Sequence, residues 1–379
     1  MFIHTQRSLF DIPNDVCYLN AAYMTPLTKK QTEIGGSGMA KSARPWNYSE
    51  QDFFTDVEGV RGLAAQILTV SSHDIAIVPS ASYGTATAGL NMPVKQGQVI
   101  LMVEDQFPSN VYEWTKLAEE AGAELAFVKT PDNHDWTTAI VEAIQEYGEK
   151  IAFAALANVH WASGAKLDLG IISPALKKIG AGLVLDLTQS VGAMPINLAE
   201  IDPDFAVCAS YKWMMGPYGL GVLYVAPRHQ HGKPIEQNWI NRQGSENFAN
   251  LVNYQDQYQE GARRFDFGER SNFILMPVYK EGLRQLLEWG ISNISFTLGE
   301  INRRIETIAL NNGLRSIDSD YRSPHMMGIE LGGDAERYAA KLRAENIFVS
   351  IRGSMLRVAP HLWVNDHDME RFEKVMTSL

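Results

Sequence analysis

Along this chain short, wholly apolar runs end abruptly in polar residues. Residues 182–185 are Gly-Leu-Val-Leu and close on Asp186, and Phe205–Ala209 closes on Ser210, Tyr211 and Lys212. Val99–Val103 and 151–159 follow the same rule. Uninterrupted apolarity over five or so residues marks strands covered on both faces, as in parallel sheets, whose ligands sit beyond the carboxyl ends of the strands. Residues 74–89 read as a strand, a loop of Ser and Ala, and a helix. Apolar positions recur at helical spacing over 49–68, 278–289 and 294–311. The pattern predicts an α/β protein that delivers Asp186 and Lys212 to one sheet edge. From Met276-Pro277 onward, long amphipathic helices and a strand-rich tail predict a small C-terminal α+β domain. The expected division is 1–25 as a segment associated with the small domain, 26–275 as the large domain and 276–379 as the small one.

Composition narrows the class. With 379 residues, one large and one small domain are expected. A net charge of −11 argues against nucleic acid or an anionic membrane as partner. No apolar stretch has the length to cross a bilayer, and the N-terminus lacks the basic-then-apolar pattern of a signal peptide, so a cytoplasmic protein is expected. Two cysteines, Cys17 and Cys208, support neither a disulfide framework nor a cysteine-rich metal site. His229 and His231 stand in a polar loop without further ligands, and no metal is expected.

Asp186 and Lys212 are 26 residues apart, with Gln189 after the first, Tyr211 before the second, and a turn with Gly216, Gly219 and Gly221 behind it. Alone, the pair reads first as a surface ion pair flanking two strands. In this company it resembles the core of the class V aminotransferase family of fold-type I pyridoxal-phosphate (PLP) enzymes, which includes cysteine desulfurases, kynureninase and isopenicillin N epimerase. There an aspartate lies about 26 residues before the Schiff-base lysine and keeps the cofactor's ring nitrogen protonated, so that the ring accepts electrons. The resemblance implies a mostly parallel seven-stranded sheet in the large domain, PLP as cofactor, Lys212 as the catalytic residue, and a homodimer with shared active sites.

The other matches follow family order. The loop at 79–83 opens a helix, where backbone N–H groups and hydroxyls close on a phosphate. Ser82 and Tyr83 match the family's phosphate positions when counted from the strand; counting from the helix gives Gly84 and Thr85. A ligand-free, well-capped turn explains the same residues. Phe107 resembles the ring that stacks on the cofactor in kynureninase-like members, with Asn110 lining the pocket; a core Phe before a Pro-Ser turn is the other reading. Asn158 falls where desulfurase-like relatives contact the phenolic oxygen, or it is a residue satisfying a strand end. The residues after it, His160 and Trp161, depart from the desulfurase pattern, and His160 reads as structural. Trp239 and Asn272 match positions that approach the phosphate of the same or the neighbouring subunit. Residues 355–365 resemble the C-terminal stretch whose arginine, here Arg357, grips a substrate carboxylate with its two-pronged donor.

These resemblances imply a PLP enzyme acting on an α-amino acid, with an aminotransferase the first expectation. A cysteine-independent C–S or Cβ lyase, a kynureninase-like hydrolase, an epimerase, and a catalytically retired binding or assembly subunit are the alternatives. The region 339–355, where desulfurases carry a nucleophilic cysteine, has none, which speaks against a persulfide relay.

Overall fold

The computed structural model describes residues 1–333 and 335–378. In chain order the strands are β1 (Cys17–Tyr18), β2 (Ile75–Val78), β3 (Val99–Val103), β4 (Glu124–Val128), β5 (Ile151–Ala157), β6 (Gly182–Asp186), β7 (Phe205–Ala209) and β8 (Gly221–Val225). They continue with β9 (Arg315–Ser316), β10 (Met327–Glu330), β11 (Ile347–Phe348), β12 (Ser350–Arg352) and β13 (Met355–Val358). Seven of them form one sheet in the order β2-β8-β7-β6-β5-β3-β4, in which only β8 runs against its neighbours. This is the mostly parallel seven-stranded sheet expected above.

The apolar runs are explained by what covers them. Successive residues of a strand face opposite sides of the sheet, and the core divides accordingly. Leu183 and Leu185 of β6, and Ala206 and Cys208 of β7, pack into one core. Val184, Phe205 and Val207 pack into the other. Helices lie on both faces, so there is no solvent side to demand alternation. The exception is β4 at one edge, where Glu124 is exposed and Phe127 keeps 45% of its surface. The opposite edge, β2, is fully buried because residues 261–267 run along it. Asp266 accepts the Ile77 N–H at 2.7 Å through Oδ1, and Phe267 N donates to the Ile77 carbonyl at 3.2 Å. The Asp266 carboxylate is itself paired with buried Arg61 (2.7 Å) and Arg270 (2.8 Å). An edge that would otherwise template another strand is thereby closed.

The two-residue strand β1 pairs in parallel with β11, and a bridge joins Asn20 to Ala359, so the N-terminal segment is stitched to the C-terminal part. That part carries a four-stranded sheet, β12-β13-β10-β9. It follows two long helices, Leu275–Trp289 and Ile291–Asn311, each beginning three residues before its periodic apolar stretch. Where 49–68 reads as one helix, a 3-10 turn at Glu50–Phe53 precedes the helix Thr55–Leu68. Ser49 and Asp52 close a capping box on that turn, satisfying its first N–H groups before the longer helix begins.

The helix Ala81–Gly89 lies against β7, and the contact is closest at Gly84. A Cβ there would sit 2.4 Å from Val207 Cγ2 and 2.8 Å from Val207 Cβ, both rigid core atoms. Gly84→Ala is therefore expected to lower stability by about 1–3 kcal/mol, the usual cost of overpacking. Urea unfolding should show a lower midpoint at unchanged slope; an unchanged midpoint would mean that the helix docks less tightly than described.

Candidate active site

The carboxyl ends of β2, β3, β5, β6 and β7 meet the start of β8 at a single cavity of about 180 Å³. Its walls carry Ser80, Ala81 and Ser82 from the loop and helix after β2, Gln106, Phe107 and Ser109 after β3, and Ala157, Val159 and Trp161 after β5. Asp186, Thr188 and Gln189 follow from β6, and Tyr211 and Lys212 from β7, with Tyr218, Gly219 and Leu220 leading into β8. Of the residues expected from sequence, Ser82, Phe107, Asp186, Gln189, Tyr211 and Lys212 line this one space.

Lys212 is only 7% exposed, and no hydrogen bond or ion pair within 4 Å joins its ammonium to another described residue. Its Nζ lies 5.4 Å from the Phe107 ring centroid and 5.6 Å from that of Tyr211. Burial lowers its pKa from 10.5 to about 8; Asp186 opposes the shift, and Arg357 and Arg352 add to it. Asp186 is buried and accepts the Thr188 N–H through Oδ1 at 3.0 Å, which fixes the carboxylate at the cavity floor. Gln189 is fully engaged, donating to the Ala22 carbonyl (3.1 Å) and accepting from Trp213 Nε1 (3.0 Å). His325 secures the same turn through Nε2 and the Gln189 carbonyl at 2.6 Å. Gln189 thus ties the N-terminal segment to the floor, and Thr25 N adds a second tie by donating to the Tyr211 carbonyl at 3.0 Å.

At the far end of the cavity stands the N-terminus of helix Ala81–Gly89. Ser80 caps it, its Oγ accepting Tyr83 N at 3.1 Å and lying 2.9 Å from Ser82 Oγ. The N–H groups of Ala81 and Ser82 have no acceptor among the described residues. With the Ser82 hydroxyl they form an anion cradle at the positive end of a helix. The alternative register does not reach it: Gly84 packs on Val207, and the Thr85 hydroxyl donates to the carbonyls of Ser82 and Ser109.

Other expected residues lie elsewhere. Tyr83 does not line the cavity; burial, followed by the charge of the Glu236 carboxylate, pushes its pKa up. Asn110 turns into the core, where its Oδ1 accepts from Trp114 Nε1 at 2.9 Å. Asn158 is buried behind the wall made by Ala157 and Val159, with Oδ1 unpartnered. Trp239 and Asn272 share a separate cavity with Phe53 and Phe273. There Asn272 Oδ1 accepts from Ile274 N and Leu275 N, starting a helix. Arg357 is buried outside the cavity lining; Nη1 donates to the Trp161 carbonyl at 2.8 Å, and Nε and Nη2 have no partner among the described residues. Burial, then Arg352, lowers its pKa to about 9. His160 stacks on Trp136 at 5.6 Å and meets Ser163 Oγ at 3.0 Å, a structural role. His229 pairs with Asp204 at 2.7 Å, and among the described residues no group of three or more candidate ligands could hold a metal ion. No described helix is long and apolar enough to cross a membrane.

Sequence reasoning passed over several wall residues. Ser80 carried a signal, being an N-cap type directly before the helix. Gln106 is buried, with Oε1 accepting the Phe107 N–H at 2.8 Å and Nε2 left without an acceptor at the wall. Trp161 lies edge-on to Phe107, at 5.4 Å and 77°, and anchors its own Nε1 on the Asp105 carbonyl at 2.7 Å. Only its place after a strand pointed to it.

The Aminotransferase class-V family model matches residues 37–364. The chain belongs to that family. Its members are PLP-dependent. The chain is 27% identical over 252 residues to a probable cysteine desulfurase of Mycoplasma genitalium, covering 65% of this chain and 59% of that relative. It is also 27% identical over 246 residues to a kynureninase of Deinococcus radiodurans, covering 62% of this chain and 58% of that relative. The match therefore spans less than two thirds of either relative's length. The fold is PLP fold type I: the apo structure of a cysteine desulfurase from Thermococcus onnurineus NA1 superposes with a TM-score of 0.84 at 18% identity, over 100% of this chain and 99% of that one.

The cavity has the donor set such a cofactor needs. The unpaired N–H groups of the helix start, an unpaired lysine, a fixed carboxylate and the Phe107 ring border one space, and Gln106 Nε2 has no acceptor among the described residues. In the apoprotein Lys212 is expected to react with electrophiles as a neutral amine. Its labelling rate should rise with pH through a midpoint near 8, because deprotonation creates the nucleophile. Site-resolved mass spectrometry across a pH series checks this; a midpoint like that of the surface lysines would mean that the ammonium is not desolvated.

Proposed function

We propose that this chain binds PLP in the cavity through Lys212 and removes the Cα proton of an α-amino acid, with transamination as the outcome. The observation that carries this reading is the buried, unpartnered Lys212 amine, set between Phe107 and Asp186 and lowered to a pKa of about 8. Ala81 N, Ser82 N and the Ser82 hydroxyl would hold the phosphate, the Phe107 ring would cover one face, and Asp186 would hold a proton on the ring nitrogen. When bound, PLP supplies an electrophilic aldehyde carbon and a ring that takes up electrons released at Cα. Lys212 acts as base and acid at Cα; its lowered pKa leaves a useful share of neutral amine near neutrality, the condition for efficient proton transfer. Arg357 offers Nε and Nη2 to the substrate carboxylate, and Trp161 with Phe107 excludes water from the space beside them.

Two observations favour transamination over sulfur transfer. Neither cysteine lines the cavity: the Cys17 thiol donates to the Asp368 carbonyl and Cys208 sits inside β7. Burial raises both thiols far above the range in which a thiolate forms. We also propose a homodimer in which Trp239, 40% exposed, and the cavity it shares with Asn272 face the partner's site.

Purified protein is expected to be yellow and, after borohydride reduction, to carry the cofactor on Lys212 in a peptide map; the label on another lysine would overturn the assignment. Asp186→Asn should retain cofactor yet lose turnover by roughly the 10²–10⁴-fold that a misplaced proton costs. Near-normal rates would assign ring protonation to another group. Given one amino acid of a broad panel and no keto acid, the enzyme should release stoichiometric keto acid without ammonia and stop. Sustained release of ammonia, sulfide or alanine would replace transamination by lyase or hydrolase chemistry.

A further inference from the structure

Arg357 does not stand alone. In the antiparallel pair β12 and β13, Ser350 is opposite Arg357 and Arg352 opposite Met355. Residues two apart share a face, so Arg352 and Arg357 are diagonal neighbours on one face of the hairpin, about 7–8 Å apart. Both guanidinium groups lean on Trp161. Arg357 donates to its carbonyl, and the Arg352 Cζ lies 5.5 Å from its ring centroid. Arg352 also donates to the Ile351 carbonyl at 2.7 Å, while its Nε is buried without an acceptor.

What the pair lacks is a counter-ion. Among the described residues no carboxylate stands within 4 Å of either guanidinium, whereas other arginines in the chain have one, Arg61 and Arg322 among them. The remaining neighbours are phenols, Tyr18 facing Arg357 and Tyr23 facing Arg352. Two uncompensated cations with three unsatisfied buried nitrogens are costly in the free protein. One anion relieves one of them.

We propose that Arg352 is a specificity-determining residue, and that the substrate is an α-amino acid with a second carboxylate, Arg357 taking the α-carboxylate and Arg352 the carboxylate of the side chain. This rests on the amino-acid chemistry proposed at Lys212. The diagonal separation gives each carboxylate its own guanidinium, and Trp161 lies beneath the carbons between them. A packing role on Trp161 alone would leave the buried Arg352 Nε without any compensation.

The probes are glutarate, succinate and butyrate, which have no amino group and cannot react. Each is titrated by calorimetry into the PLP-loaded protein, its Arg352→Gln and Arg357→Gln variants, with borohydride labelling of Lys212 run on every sample. A dicarboxylate should bind roughly tenfold or more tightly than butyrate, the factor expected of one further charge-assisted contact. Arg352→Gln should bring that ratio close to one, and Arg357→Gln should weaken all three probes. No dicarboxylate preference in the unaltered protein, no measurable binding, or a preference that survives Arg352→Gln overturns the inference. Where labelling at Lys212 is intact, that failure belongs to the carboxylate contacts of Arg352 and Arg357 and not to the cofactor; where labelling is absent, it belongs to the proposed cofactor chemistry.

Discussion

An ammonium held out of water with no carboxylate within 4 Å among the described residues is the constraint on which the site depends. Depressing Lys212 from 10.5 to about 8 corresponds to about 3 kcal/mol against the charged form. That cost is full below pH 8 and fades as pH rises toward 10.5, where the unfolded chain's lysine also loses its proton. The rest of the chain must supply it. Two cores of interleaved aliphatic and aromatic side chains, one on each face of the sheet, are the reservoir. The site sits where those cores end and the strand termini leave polar atoms to be aimed.

Aiming depends on ties between distant parts of the sequence. Gln189 reaches the Ala22 carbonyl, Trp213 and, through its own carbonyl, His325, so one side chain and its backbone hold together the N-terminal segment, the floor and the C-terminal part. Arg357 holds the Trp161 carbonyl, and Trp161 holds Asp105. Each tie uses a buried polar group that would be costly if left alone. The same bonds that satisfy those groups fix the walls of the cavity around a lysine that has no partner among the described residues.

The sheet and its polar edge were legible because a strand covered on both faces writes itself as a continuous apolar run with a sharp end. Ser82, Phe107, Asp186, Gln189, Tyr211 and Lys212 all stand just past such ends, and they meet. The residues that do not line the cavity stand where a second property decides direction. Asn110 lies one 3-10 turn beyond Phe107, where its amide meets Trp114. Tyr83 lies one step further round a helix than Ser82, which turns it toward Glu236. Helical rotation of about 100° per residue separates wall from interior, and a motif counted along the chain does not resolve it. Trp161 and Arg352 were missed for a different reason: their proximity comes from a hairpin folding over a loop nearly two hundred residues earlier, and nothing local marks that contact.

The distribution of charge then gives the site its direction. Elsewhere the chain neutralises buried cations with care, as at Arg61, where Asp266 and Glu58 both bind the guanidinium and raise its pKa. In a protein with a net charge of −11 carboxylates are plentiful. Among the described residues Asp186 is the one acidic side chain in the cavity wall, and no carboxylate stands within 4 Å of Lys212, Arg352 or Arg357. An anion entering this space finds cations and unpaired N–H donors on most sides and a carboxylate on one. This is the wall expected for the occupant proposed above, a molecule with negative charge at its periphery and a proton to share at one edge.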